Sequence, residues 1–189
     1  MARKSSKAAK RAQTKAKPRT RPRPKPKPKA KSTTSASPSE RIDTDVLLAI
    51  KPDHLANIIS RDKNYEYRKY RLKAGVVRLW LYETAGGGGR ASITHIATIP
   101  SSIRHEPGSV PTEPPGIGNA EFNAGLKQSK FGYPILELYE LVNPVTLSEM
   151  KTRWAMGGAP MGWRYLDAPL WGDRWGKDHT RDDKVNKVF

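Results

Sequence analysis

Apolar residues in this chain come in short bursts, and their spacing separates strands from helices. Val46-Leu47-Leu48-Ala49-Ile50 is a continuous apolar run with the length of a buried strand. Val76-Val77-Arg78-Leu79-Trp80-Leu81-Tyr82 is the strongest strand signal, with a turn at Ala74-Gly75 before it. Residues 91–99 and 135–142 read as two more strands, and 161–166 as the last one. The 135–142 run does not alternate cleanly, which suits a bulge or burial on both faces, and Pro144 is expected to end it. Helical spacing appears three times. Leu55, Ile58 and Ile59 form a stripe behind Pro52. Phe122 and Leu126 make a buried pair in a helix over 120–129 capped by Asn119. Met150 and Trp154 do the same in a helix over 148–156 capped by Ser148 and stopped by Gly157-Gly158.

One stretch breaks this pattern. Residues 65–71 have strand character but no aliphatic side chain. Alternation puts Glu66, Arg68 and Tyr70 on one face and Tyr65, Tyr67, Lys69 and Arg71 on the other. A core strand would show a face of Val, Ile or Leu. At least one face of this strand is therefore expected to line a groove or meet solvent.

The order of elements is not a repeated βαβ. It predicts an α+β fold, a small barrel of mixed strands with short helices at its ends. The four glycines 86–89 lack the lysine and following helix of a phosphate loop and read as a flexible hairpin connection. Residues 100–115 are turn-rich. Pro169 to Trp175 is aromatic without a pattern, with the Trp171–Trp175 region a candidate partner surface, and 176–189 is expected to be a loose tail.

Charge changes the picture at the N-terminus. Of the 35 Lys and Arg in 189 residues, 14 fall in residues 1–40, against one acid. The expected division is a disordered basic segment over 1–41, a domain over 42–175 and the loose tail over 176–189. Alternating prolines favour an extended path, and like charges with nothing apolar oppose folding. Arg19, Arg21, Arg23, Lys25, Lys27 and Lys29 are the candidate nucleic-acid contacts of this segment, by counterion release, or a nuclear-import address. The expected location is the nucleus, with the cytoplasm as alternative. The N-terminus has no apolar core of a secretory signal, and its proline density opposes an amphipathic transit helix.

With no cysteine, disulfides and thiolate metal sites are excluded, and His54, His95, His105 and His179 have no metal-site spacing. No cofactor, metal or membrane partner is expected, since no apolar run reaches the ~18 residues of a span. His54 reads as a surface histidine. Oligomeric state is not legible.

Ile50-Lys51-Pro52, Ile58 and Lys63-x-x-Glu66-x-Arg68 together resemble the ASCH domain of the PUA-like superfamily. The likeness continues through 78–84, 116–122 and 130–135, and closes with 144–147 and 163–166. It departs at Arg61, where the family pattern has glycine, a residue that serves a tight turn at positive φ. The resemblance implies a small mixed PUA-like β-barrel whose cleft beside Lys63, Glu66 and Arg68 binds RNA, a nucleotide or a modified base, with DNA as a further partner. Arg and Lys suit phosphates or base edges, Glu accepts from an exocyclic amine, and aromatics stack single-stranded bases. The implied ligand set is Lys51, Lys63, Glu66 and Arg68, with Tyr65, Tyr67, Trp80 and Tyr82 as stacking candidates. Some ASCH proteins are amidohydrolases on N(4)-acetylcytidine, using a lysine, a threonine three residues on and a downstream glutamate. Here Lys63 matches, Glu66 stands at the threonine position and Glu121 is the candidate downstream acid. An enzyme would use Lys63, Glu66 and Glu121, whereas a binding module would use Lys63 and Glu66 as an ion pair at a groove rim.

Overall fold

Alternation sends the apolar strands of this chain into two cores, one on each face of a single sheet. The structure, a computed structural model, describes residues 40–189, so Arg19, Arg21, Arg23, Lys25, Lys27 and Lys29 lie outside the described residues. Strand β1 (Arg41–Ile50) leads through α1 (Pro52–Ile59) into β2 (Tyr65–Arg68), and β3 (Arg78–Glu83) and β4 (Ser92–Thr98) form a hairpin across the four glycines. Next come α2 (Asn119–Asn123), β5 (Phe131–Pro134), β6 (Glu137–Thr146) and α3 (Leu147–Thr152). They are followed by β7 (Trp163–Asp167), α4 (Ala168–Arg174) and β8 (Val185–Lys187).

The main sheet runs β7-β1-β3-β4-β6-β8, with β1 parallel to β3 and the other pairs antiparallel. A parallel pair needs a crossover, which α1 and β2 supply. Val46, Leu48 and Ile50 of β1 join Leu79 and Leu81 of β3 in the first core, which α1 closes with Leu55 and Ile58. Leu47, Trp80 and Tyr82 point the other way, into a second core with Met150, Leu170, Trp175 and Val185. A continuous apolar run is thus a strand covered on both faces.

The α+β class and the short helices match expectation; closure into a barrel does not. The hydrogen-bonded ladder has two ends, β7 and β8, and β2 pairs with β5 in a separate two-stranded sheet. With no aliphatic side chain to bury, β2 has little to gain inside the main sheet.

Several boundaries also move. The helix expected over 120–129 ends at Asn123, because Gly125 turns the chain at φ 70°, and Leu126 is 78% exposed rather than packed. Ile59 likewise leaves the core. Pro144 does not end β6 but lies at a register shift opposite Ile93–His95, where a missing N–H breaks no ladder bond. The cap of α3 is Thr146, whose Oγ1 accepts from the Glu149 N–H at 3.1 Å, not Ser148. Residues 168–174 are helical, started by Pro169, and Trp175 is buried, with the Arg78 and Arg181 guanidinium groups 5.3 and 4.4 Å from its ring centre, rather than offered to a partner. Residues 176–189 are not loose: Val185 is buried and β8 pairs with β6 over 139–141.

Candidate functional site

The turn between α1 and β2 positions the charged cluster. Ser60 and Arg61 donate their N–H groups to the carbonyls of Ala56 and Ile58 at 2.9 and 3.0 Å, and Arg61 turns the chain at φ 67°. A positive-φ turn occurs where the sequence comparison placed glycine, and here an arginine makes it. The Lys63 N–H then bonds the Asn57 carbonyl at 2.8 Å, while Asp62 and Asn64 accept from the N–H groups of Ile117 and Ile135. The backbone is therefore tied on both sides of Lys63 before β2 begins.

Within β2 the two faces separate as alternation requires. Tyr65 and Tyr67 pack with Val110 and Phe122 in a small third cluster. Glu66 and Arg68 face the end of β1. Glu66 accepts from Lys63 Nζ at 2.6 Å and forms an ion pair with Arg68 Nη2 at 2.8 Å, and Arg68 Nη2 donates to the Ala49 carbonyl at 2.7 Å. Lys63 Nζ also donates to the Tyr65 carbonyl. Lys63 and Glu66 are each only 5% exposed. This is not the rim ion pair of the sequence reading but a buried charge cluster.

Its electrostatics are unequal. Burial pushes the Glu66 pKa up, but Lys63 and Arg68 together outweigh it and hold the carboxyl below its usual range. Burial pulls the Lys63 pKa down; the attraction and hydrogen bond of Glu66 oppose this, and Arg68 adds to the lowering. Two cations face one carboxylate, so one positive charge, and with it one proton, is surplus to what Glu66 balances.

A cleft of about 300 Å³ opens onto this cluster, lined by Lys51, His54, Glu66, Tyr67, Arg68 and Thr84 among others. Lys51 stands exposed at its mouth, at the N-cap of α1. His54 belongs to the lining, and its pKa is lowered by partial burial and by Lys63. Tyr67 is half-buried, with its ring 4.4 Å from that of Phe122 and its hydroxyl donating to Asn119 Oδ1 at 2.6 Å. Lys127, which no motif indicated, sets its ammonium 5.1 Å from the Tyr67 ring centre. It arrives through the α2 region, which Gly118 enters at φ 90° and Gly125 leaves at φ 70°.

The structure thus gathers Lys51, Lys63, Glu66, Arg68 and Tyr67, and separates the rest. Trp80 and Tyr82 are core residues at 0% and 2% exposure, with the Trp80 indole N–H donating to Asp45 at 2.9 Å, so neither can stack a ligand. They sit on a central strand covered on both faces. Tyr65 is buried against Tyr67 and the edge of His105. Glu121 is exposed in the first turn of α2 and lines a separate shallow depression with Arg61, Asp62 and Gly116. Among the described residues no group of His, Asp and Glu side chains could hold a metal ion. No helix there is long and apolar enough to cross a membrane.

No family model matches the chain, and no curated protein does. Solved structures do. Two mutant forms of an ASCH protein from Zymomonas mobilis superpose with TM-scores of 0.52 and 0.51. They are 13% and 14% identical, covering 68% and 66% of this chain and 92% and 91% of theirs. At that identity the likeness shows the fold alone, and the fold is similar to that of the Zymomonas mobilis ASCH protein.

Proposed function

We propose that the body of this protein is an RNA-binding module whose Lys63–Glu66–Arg68 cleft recognises a nucleotide or modified base. The observation that carries this is the buried carboxylate held between two cations at the wall of a cleft. Glu66 is kept ionised and oriented, ready to accept from an exocyclic amine, while Arg68 and Lys51 supply donors for a phosphate or base edge. Tyr67, backed by Phe122, is the one aromatic of the original set positioned to stack. The basic segment, with Arg19, Arg21, Arg23, Lys25, Lys27 and Lys29, adds phosphate contacts, nuclear targeting or both.

The test is titration of the full chain with short RNAs and free nucleotides over a range of salt. Glu66→Gln and Arg68→Lys should each lower nucleotide affinity about tenfold, the scale of one charge-assisted contact. Changing the six tail cations to Gln should weaken RNA binding and flatten its salt dependence without altering base preference. Site variants that bind every ligand as the native chain does would remove the reading. DNA of the same sequence, run in parallel, decides that partner. A fluorescent fusion that stays nuclear after the tail cations are changed would remove the targeting role.

A second reading, an amidohydrolase on N(4)-acetylcytidine-type nucleosides, is favoured by one feature: burial lowers the Lys63 pKa toward that of a general base. Against it, Glu66 is a carboxylate fixed by two cations, not a hydroxyl nucleophile. The purified protein should then release acetate from N(4)-acetylcytidine and lose that activity in Lys63→Ala. Absence of turnover disposes of this substrate.

A further inference from the structure

The Lys63–Glu66 ion pair joins two clefts, Glu66 lining the first and Lys63 the second. Behind the Lys63–Glu66 pair lies a second cavity of about 310 Å³, lined by Arg61, Lys63, Asn64, Pro114, Pro115 and Phe189 among others. The linings of the two clefts meet at one 2.6 Å ion pair.

The second cleft has a flat, cationic wall. The Arg61 guanidinium lies over the Phe189 ring, 4.5 Å from its centre. Both ends of this stack are held. Arg61 occupies a positive-φ position that L side chains rarely adopt, fixed by its bond to Ile58. Phe189 is pinned to β6, where the Leu138 N–H donates to its carbonyl at 3.2 Å and the Val188 N–H donates to the Leu138 carbonyl at 2.8 Å. Its ring packs against the first core. Proline rings contribute a second apolar surface to the lining. Between them Asn64 donates one amide hydrogen to the Pro114 carbonyl at 3.0 Å and accepts from Asn119 at 3.1 Å, which leaves its other amide hydrogen to donate. Adding a side chain at Gly116 would place its first carbon 2.1 Å from Asn64 Oδ1, so this amide has no room to move on that side.

We propose that this cleft is a second base subsite, and that the ligand is therefore single-stranded RNA of at least two nucleotides rather than a free nucleoside. A base stacks on the guanidinium plane of Arg61, which Phe189 backs, as unpaired bases do on arginine and aromatic faces. Asn64 donates to the base edge. Positive charge at Arg61 and Lys63 complements the phosphate that joins this nucleotide to its neighbour in the first cleft. The inference rests on the reading of that first cleft as a nucleotide site.

The experiment is calorimetric titration of the full chain with a ribonucleoside 5′-monophosphate and with a trinucleotide carrying 2-aminopurine, whose fluorescence drops on stacking. Native protein, Phe189→Leu and Arg61→Gly are compared at one salt concentration, so the basic segment contributes equally to all. Phe189→Leu keeps apolar bulk, and circular dichroism confirms its fold. Each variant should lose about tenfold in trinucleotide affinity, the worth of one stacked base, and most of the fluorescence change. Mononucleotide affinity should not move. Trinucleotide affinity and fluorescence unchanged in both variants would overturn the second subsite and leave the first standing. A loss in these variants with none in Arg68→Lys would overturn the first and retain the second. A native chain that binds neither ligand removes both.

Discussion

Two buried carboxylates, Glu66 and Asp45, differ in their surroundings: Asp45 is sealed inside the fold, and Glu66 stands at the wall of a cleft. Asp45 is fully buried on β1. It takes both Arg78 Nε at 2.6 Å and Nη2 at 2.8 Å, the Trp80 indole N–H at 2.9 Å and the Thr44 hydroxyl at 2.6 Å. The one cation paired with it among the described residues, Arg78, is covered by Trp175, 5.3 Å away. One charge meets one charge, every oxygen is used, and the sheet's second core closes over the pair. Glu66 has two cations for one carboxylate, and a cleft in place of a lid. That surplus charge beside an opening is what supports the proposed binding role of the Glu66 cluster and is missing at Asp45.

The largest expected effect sharpens the structural half of this comparison. Asp45→Ala leaves Arg78 and the Trp80 N–H without their acceptor and should destabilise by about 3–5 kcal/mol in urea unfolding. A loss below about 1 kcal/mol would show that the pair is not structural.

Acid provides a second test, through a buried group with no ion pair among the described residues. Burial lowers the His95 pKa from 6.5 to about 4, as its ring sits on β4 with Nδ1 2.9 Å from the Thr94 hydroxyl. The unfolded chain binds this proton more readily than the folded one. Stability is therefore full above pH 6.5 and falls as the pH drops toward 4, by on the order of 3 kcal/mol. In His95→Gln this part of the pH dependence should vanish, and a slope unchanged from native would reject it.

The third prediction addresses the surplus proton itself. Because the folded pKa of Lys63 is lowered, the unfolded state binds that proton more tightly. Unfolding free energy should rise with pH from the lowered folded value of Lys63 up to its ordinary value near 10.5. The rise should be absent from Lys63→Met and retained in Arg78→Lys, since among the described residues Asp45 has no second cation. Equal alkaline slopes in native and Lys63→Met proteins would erase the asymmetry between the two clusters. The smallest effect is a control on packing: Leu126→Ser should change stability by less than about 0.5 kcal/mol, because Leu126 is 78% exposed.

Local pattern was informative wherever one residue's fate depended on its neighbours in sequence. The apolar runs at 46–50 and 78–82 are strands, Pro52 starts α1, and residues 65–68 form a strand without an aliphatic face. The Lys63-x-x-Glu66-x-Arg68 spacing marked the cluster, because its three members lie on one turn and one strand. The same spacing was silent on their burial, which decides whether the pair is a solvated rim or a buried, pKa-shifted cluster. Trp80 and Tyr82 could be core or stacking residues on spacing alone and are core residues in the fold, for the same reason: alternation defines two faces but not what covers each.

What the sequence determined by itself is therefore periodicity, turn chemistry and the identity of one charged motif. Only tertiary structure decided that β2 leaves the main sheet to pair with β5, that β8 returns to β6, and that Lys127, His54 and Phe189 come to the edges of the two clefts. Arg104 shows the limit most plainly. It donates to the carbonyls of Lys73, Val76, Pro100, Ser101 and Ile103, joining two loops that no spacing connects. Strand and helix preferences act over a few residues. Burial, charge balance and cleft walls are set by segments far apart in the chain, and they exist only once the two cores have closed.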